Sequence, residues 1–210
     1  MFWRPAVLFV LGACATASPG TFNDSVTGDA HPSGDAPQQQ HGDAAPTSGC
    51  SFTGALATWD LSGQTGSETM VPAATNATGV TAGELTRAAA LTATSGTGSI
   101  NSSGWPTTGA LDATKYYAFT VSPPSGCSIK LTGVAIDVKS SGTGPATGAL
   151  ATSADAFGST TTVSTAAAST PTMTTTSSTT LEIHVYGYSA TGSSGTMRIQ
   201  NTLTVNGSIL

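Results

Sequence analysis

Few side chains in this chain have the chemistry that catalysis needs, and their spacing does not bring them together. The 210 residues include 11 acidic residues, three histidines and three cysteines. Beyond residue 50 a hydrolytic triad would need His184, yet no Gly-x-Ser-x-Gly elbow accompanies it. Asp60, Asp137 and Glu182 fall on outward positions of predicted strands, and nothing pairs two carboxylates as a glycosidase requires. We therefore expect a protein that is not an enzyme and has no cofactor.

Metal-ligand spacing is also missing from the sequence. The sequence contains no zinc-ligand spacing and no calcium-binding loop. It also contains no phosphate-binding loop, because neither of its two Gly-x-Gly sequences is followed by a predicted helix. His31 and His41 lie beside Asp29 and Asp43, so a metal-binding tail is one interpretation. The other, which we prefer, is a pair of solvated histidines on a linker, because no scaffold fixes their geometry. No metal site is predicted.

Cys14 closes the first apolar run of the chain. Residues 6–13 (AVLFVLGA) follow a short basic start; they are too few to span a bilayer but suffice for the core of a signal peptide. Residues 11–14 (LGAC) resemble the bacterial lipobox. The resemblance implies that residues 1–13 are a lipoprotein signal peptide and that Cys14 carries lipid. Two or three acyl chains on this residue would make the attachment to the membrane durable. The alternative is an ordinary secretory signal cut after residue 17.

The residue after Cys14 bears on location. In enterobacterial lipoproteins an Asp at this position retains the protein at the inner membrane, whereas this chain has Ala15. The resemblance therefore implies a lipid anchor in the outer membrane of the cell envelope. If the secretory alternative holds, the protein is secreted.

Residues 14–49 have the composition of a linker. They contain four Asp residues, several Pro and Gly and no Lys or Arg, and Phe22 and Val26 are nearly their only bulky apolar groups. Such a segment buries too little apolar surface to offset the entropy of ordering it. We predict a disordered, weakly acidic linker.

Composition favours an all-β domain and excludes nucleic acid as a partner. Only 8% of residues are charged, the net charge is −5 and Thr, Ser, Ala and Gly dominate. The β-branched Thr favours pleated strands. A phosphate-binding face needs clustered Lys and Arg, and the few cations here are scattered.

Residues 50–210 consist of short alternating runs separated by turn residues, the pattern of a sandwich. The change of phase at residues 132–133 predicts a bulge. Eight to ten strands describe a single domain, with weaker strands near residues 68–71, 84–88, 148–152 and 171–176. The predicted inward rows are Ala55, Ala57, Trp59 and Leu61; Tyr117, Phe119 and Val121; Ile129 and Leu131; Val134, Ile136 and Val138; Leu181, Ile183 and Val185; and Met197, Ile199, Leu203 and Val205.

Several segments of this domain resemble a β-sandwich common in exported proteins of planctomycetes, myxobacteria and bacteroidetes. The resemblance covers nearly all of residues 50–207 and implies a single antiparallel, jelly-roll-like β-sandwich, without a particular activity. The segments that carry it are residues 56–63 (LATWDLSG), 79–82 (GVTA), 85–87 (LTR), 101–105 (NSSGW), 116–121 (YYAFTV), 141–145 (SGTGP), 153–157 (SADAF) and 195–201 (GTMRIQN).

Two cysteines remain once Cys14 is assigned to lipid. Exported domains with thin cores often carry a covalent link, and aromatic residues make up only 6% of this chain. Counting cysteines predicts a disulfide between Cys50 and Cys127. The alternative is two reduced thiols too far apart to bond.

Binding is the predicted activity of the sandwich. Many sandwich domains bind glycans through aromatic side chains and a few polar groups, an analogy that rests on fold alone. We predict as ligand-binding residues Trp105, which we expect to be exposed in a loop beside Pro106, and Tyr116 and Tyr188, which share an outward phase with Tyr186. The predicted partner is an extracellular glycan or surface protein. The alternative is that these rings cover edges of the core and that the protein is a purely structural envelope lipoprotein; a secreted hydrolase is a third, less favoured hypothesis.

Overall fold

The computed structural model of the chain describes residues 49–210. The predicted signal peptide at residues 1–13, Cys14 and the linker up to residue 48 lie outside these residues. Within the described part, no helix is long and apolar enough to cross a membrane.

Residues 49–210 form two sheets packed as a sandwich, one of eight strands and one of seven, and every pairing between strands is antiparallel. The all-β prediction is confirmed. The strands are β1 (Phe52–Asp60), β2 (Met70–Val71), β3 (Thr75–Asn76), β4 (Thr81–Ala82), β5 (Leu85–Arg87), β6 (Thr92–Ala93), β7 (Ser99–Ser103), β8 (Tyr116–Ser122), β9 (Ile129–Ser140), β10 (Pro145–Thr152), β11 (Thr161–Val163), β12 (Ala168–Ser169), β13 (Thr172–Ser177), β14 (Leu181–Ala190) and β15 (Met197–Ile209), with a 3-10 turn at Ser153–Asp155.

The six longest strands define the topology. In one sheet β9, β15 and β1 lie side by side, and in the other β10, β14 and β8 do. Along the chain each of these strands passes to the opposite sheet, except that β10 is followed by β14 in its own sheet. This alternation between sheets is jelly-roll-like and places β14 at the centre of the seven-stranded sheet.

The core lies between the inner faces of the two sheets. Nearly all predicted inward positions are buried, and the ring of Trp59 packs on Phe119 with centroids 5.0 Å apart. Ala55 is the exception, since it is exposed while Leu56 is buried. The pairing of β1 with β15 shifts between Ala55 and Ala57, and this irregularity reverses the phase that simple alternation predicts.

The predicted bulge near residues 132–133 is confirmed. Asn206 of β15 pairs with Gly133, but the next residue, Gly207, pairs with Leu131. Thr132 is left without an opposite residue. The extra residue lets both halves of β9 direct their apolar side chains into the core.

The disulfide between Cys50 and Cys127 is also confirmed, with Cα atoms 5.5 Å apart. It links the residues before β1 to the turn between β8 and β9. The reciprocal backbone hydrogen bonds of Ser128 and Leu210 lie at the same end. The start and the end of the described chain are therefore held together.

Candidate functional site

Outward side chains of β14 form the centre of the candidate site. Alternate residues of a strand face opposite sides of the sheet, so Glu182, His184, Tyr186 and Tyr188 share the outer face. In the register of the sheet, His184 lies between Ala118 of β8 and Ala151 of β10. These alanines leave the space beside the imidazole open to larger rings.

Two aromatic rings enclose His184. Tyr116 stacks on one face with ring centroids 3.7 Å apart, and Phe157 stacks on the other at 4.0 Å, each within 10° of parallel. Tyr186 approaches edge-on at 5.6 Å. We call Tyr116, Phe157, His184, Tyr186 and Tyr188 the aromatic cluster. His184 retains only 5% exposure, although it belongs to the outer face.

Both nitrogens of His184 have hydrogen-bond partners. Nε2 lies 2.8 Å from Glu182 Oε1, and Nδ1 lies 2.9 Å from the Tyr186 hydroxyl. Because a carboxylate only accepts, Nε2–H donates to Glu182, and the Tyr186 hydroxyl is the partner of Nδ1. Burial, reinforced by Tyr116 and Glu182, raises the pKa of Tyr186. The Tyr186 hydroxyl therefore keeps its proton.

A loop with unusual backbone conformation brings Phe157 over the sheet. Ala156 and Phe157 both adopt left-handed backbone conformations, with φ of 55° and 61°. Residues other than Gly rarely adopt this conformation. Phe157 N–H donates to Thr152 O at 2.9 Å, and Asp155 Oδ2 accepts from the backbone N–H of Ser159 at 2.9 Å. Hydrogen bonds from Ser159 lower the pKa of Asp155. These contacts hold the turn in the shape that stacks Phe157 on His184.

The rim of the cluster is open to solvent. Tyr116, Phe157 and Tyr188 are half-buried, and the side chain of Glu182 is 41% exposed. The rim therefore combines apolar ring surface, phenolic hydroxyls and one carboxylate. Such groups can contact the apolar face of a sugar ring and accept or donate hydrogen bonds to its hydroxyls.

Two of the three predicted ligand-binding residues, Tyr116 and Tyr188, lie in this cluster, but the predicted exposure of Trp105 is wrong. Trp105 is 2% exposed. Its Nε1–H donates to Ser102 O at 2.8 Å, and its ring packs edge-on against Tyr117 at 5.4 Å. Both the indole N–H and the indole ring have partners in the protein interior, so the side chain of Trp105 points into the core. Trp105 belongs to the core and not to a surface site.

Phe157 is the cluster residue that sequence reasoning missed. It lies in a loop, where the alternation of inward and outward side chains does not apply. The residue that it contacts on β14, His184, is far from it in the sequence. A signal was present, because this large aromatic residue lies two residues after Asp155 and directly before Gly158, in a segment otherwise typical of a turn. A bulky ring in a turn indicates that the turn packs on something.

A second polar group lies on the outer face of the other sheet. Asp137 Oδ2 accepts from Gln200 Nε2 at 2.8 Å and from Asn201 Nδ2 at 2.7 Å, and Arg198 Nε donates to Gln200 Oε1. These bonds satisfy one oxygen of Asp137 and leave the other, which is buried, without a partner. We find a polar surface here without the ring surface of the aromatic cluster.

Comparisons with family models, curated proteins and solved structures found no match to this chain. The likeness to sandwich domains of exported bacterial proteins stays a prediction. Among residues 49–210, no three or more His, Cys, Asp or Glu side chains are grouped as metal ligands.

Proposed function

We propose that this chain is a lipid-anchored protein of the bacterial cell envelope, held in the outer membrane, whose sandwich binds an extracellular glycan without catalysing a reaction. The anchor rests on residues 11–14 and Cys14. The disulfide between Cys50 and Cys127 supports export, because such bonds persist in oxidising compartments.

The aromatic cluster is the observation that carries the binding proposal. Tyr116 and Tyr188 come from different strands, and Phe157 comes from a loop, yet all three are half-buried and pack against the same small group of residues, which includes Tyr186. The left-handed residues Ala156 and Phe157 support a functional role, since backbone in such conformations costs on the order of 1–3 kcal/mol each and collects at binding sites. The ring surfaces and hydroxyls of this rim are groups of the kind that contact a pyranose ring.

The environment of His184 supports binding without catalysis. A general base needs a nitrogen free to take a proton from a substrate. Here Nε2 faces Glu182, Nδ1 faces Tyr186, and stacked rings cover both faces of the imidazole. His184 is thus placed to orient the surrounding rings.

One observation favours the second candidate, a structural envelope lipoprotein without a small ligand. His184 and Tyr186 are 5% and 3% exposed, so the centre of the cluster is already filled by the protein itself. In that case the cluster stabilises the outer face of the sheet, and its rim has no ligand.

The anchor is tested by changing Cys14 to Ser and fractionating cells. We expect the wild-type protein to sediment with outer membranes and its amino-terminal peptide to carry acyl chains in mass spectrometry. The variant should lose both the acyl mass and the membrane association. A wild-type peptide that begins after residue 17 without lipid would establish the secretory alternative instead.

The binding proposal is tested with a glycan array followed by fluorescence titration. Trp59 and Trp105 are buried and report poorly on the rim, so Tyr188→Trp supplies a reporter there. Leu111→Trp, at an exposed position outside the cluster, is the matched control. We expect a saturable change for Tyr188→Trp alone; no saturable response to any polysaccharide would favour the structural candidate.

A further inference from the structure

The end of the sandwich where the chain enters is unusually apolar. Phe52 and Leu210 are 37% and 55% exposed, and they are two of the four large apolar side chains exposed among residues 49–210. Strand pairing brings them together, since Phe52 pairs with Ile209 in β1 and β15. We call residues 49–53, 122–130 and 206–210 the entry end.

A groove at the entry end continues this apolar surface. Its lining is largely apolar and consists of Gly49, Ser51, Phe52, Thr78, Gly79, Pro124, Cys127 and Ile209. The disulfide fixes one side of this groove. Two exposed apolar side chains thus stand beside a preformed apolar recess on a rigid part of the fold.

Charged side chains at the entry end are few and of one sign. In a chain with 11 acidic residues, its three segments contain no Asp or Glu, and Lys130 supplies their single charged side chain. Lys130 is exposed and pairs with Ser208, one residue from Ile209. A lysine can rest its aliphatic stem on apolar surface while its ammonium reaches outward.

We propose that the entry end lies against the lipid bilayer in the anchored protein, with Phe52 and Leu210 in the interfacial region and Lys130 at the lipid phosphates. Apolar side chains beside a cation are the combination that binds an anionic membrane surface. This inference rests on the proposed lipid anchor at Cys14.

Tethering explains how so small a surface suffices. Gly49 follows Cys14 by about 35 residues, a span that confines the domain near the membrane and gives the entry end a high effective concentration there. A contact between the entry end and the bilayer that is too weak to bring an unanchored protein to the membrane can then determine how the anchored domain is oriented. Since Ser122 ends β8 at the entry end and Tyr116 begins it, the aromatic cluster is carried about 20 Å farther out.

The test uses the full lipidated chain in vesicles of phosphatidylethanolamine and phosphatidylglycerol with brominated acyl chains, which quench nearby indoles. Phe52→Trp places an indole at the entry end. Leu111→Trp is the matched control, because Leu111 is 36% exposed and lies in the loop before the opposite end of β8. Trp59 and Trp105 give the same background in both variants.

We expect the indole emission of the Phe52→Trp variant to shift to shorter wavelength on vesicle binding and to be quenched when the lipids are brominated, whereas the emission of the Leu111→Trp variant stays unchanged. Adding Lys130→Gln should reduce the quenching in anionic vesicles and have little effect in vesicles of phosphatidylcholine. Equal quenching of both indoles, or quenching of neither in vesicle-bound protein, overturns the proposal. Self-association that shields Phe52 without quenching would instead assign the surface to a second copy. Protein that fails to float with vesicles shows that the anchor, not the orientation, is wrong.

Discussion

At the scale of single residues, the enclosure of His184 is the most specific feature of this molecule. An imidazole between two parallel rings, with both nitrogens hydrogen-bonded, resembles a ligand in an aromatic cage, except that the occupant belongs to the protein. The two stacked rings come from β8 and from a loop, and Phe157 adopts a left-handed backbone conformation at its position. The arrangement therefore serves to fix the rings of the rim.

Replacing His184 by Ala tests this interpretation. The change removes both stacks and leaves Tyr186 and Glu182 without their partner, so we expect a loss of about 1–3 kcal/mol in the free energy of unfolding. Urea denaturation of the wild type and the variant measures it. Leu111→Ala is the control and should change the stability by less than about 0.5 kcal/mol; equal effects of the two variants would contradict a cohesive cluster.

The buried phenol of Tyr117 should make the stability of the fold decrease at alkaline pH. Burial raises the pKa of this phenol well above its usual 10, and its hydroxyl donates to Met197 O at 2.6 Å. Above pH 10 the unfolded chain releases this proton while the folded chain retains it, so stability falls as pH rises beyond that point. The free energy of unfolding between pH 8 and 11 should decline less in Tyr117→Phe than in the wild type; parallel curves would refute this assignment.

At the scale of elements, the backbone of β15 lies very close to its neighbours at Gly207, in the centre of the eight-stranded sheet. A Cβ atom at Gly207 of β15 would overlap the Lys130 carbonyl and the Leu56 side chain, and backbone in a central strand cannot move aside. We expect Gly207→Ala to cost about 1–3 kcal/mol. Gly142→Ala, at a turn with open space around it, is the control for thermal denaturation and should melt like the wild type.

The disulfide stabilises the junction of β1 with the turn after β8. Its loop spans 77 residues, for which the chain-entropy argument gives about 4 kcal/mol. Replacing Cys50 and Cys127 together by Ser should lower the melting temperature of the non-reduced protein. Reduction of the wild type by thiol should produce the same decrease, and an unchanged melting temperature would show that the bond contributes little.

Much of the fold follows from alternation along the strands, and the exceptions have definite causes. The inward rows of β8, β9, β14 and β15 are predictable because a buried face needs a regular period. Ala55 and four of the five two-residue strands are not predictable in this way, because a bulge shifts the phase at Ala55 and a strand of two residues has no period. Tyr116 and Tyr188 were predictable from their outward phase, whereas Trp105 and Phe157 depend on tertiary contacts that local pattern does not contain.

At the scale of the whole molecule, the sandwich has two different ends and one chemically distinct face. The entry end carries Phe52, Leu210 and a lone lysine, and the aromatic cluster lies toward the opposite end of β8. In the proposed orientation, with a lipid on Cys14 and the entry end against the bilayer, the cluster points away from the membrane. Membrane contact at one end and ligand contact at the other are thus compatible on one rigid domain.

The most direct test of this account is the affinity of the purified protein for its best array glycan, measured by isothermal titration for the wild type, Tyr116→Ala, Tyr188→Ala and Leu111→Ala. We predict that each tyrosine variant binds about tenfold more weakly, as expected for loss of roughly 1.4 kcal/mol of ring contact, while Leu111→Ala binds like the wild type. Unchanged affinity in both tyrosine variants, with the fold intact, would contradict the assignment of the aromatic cluster as the binding site.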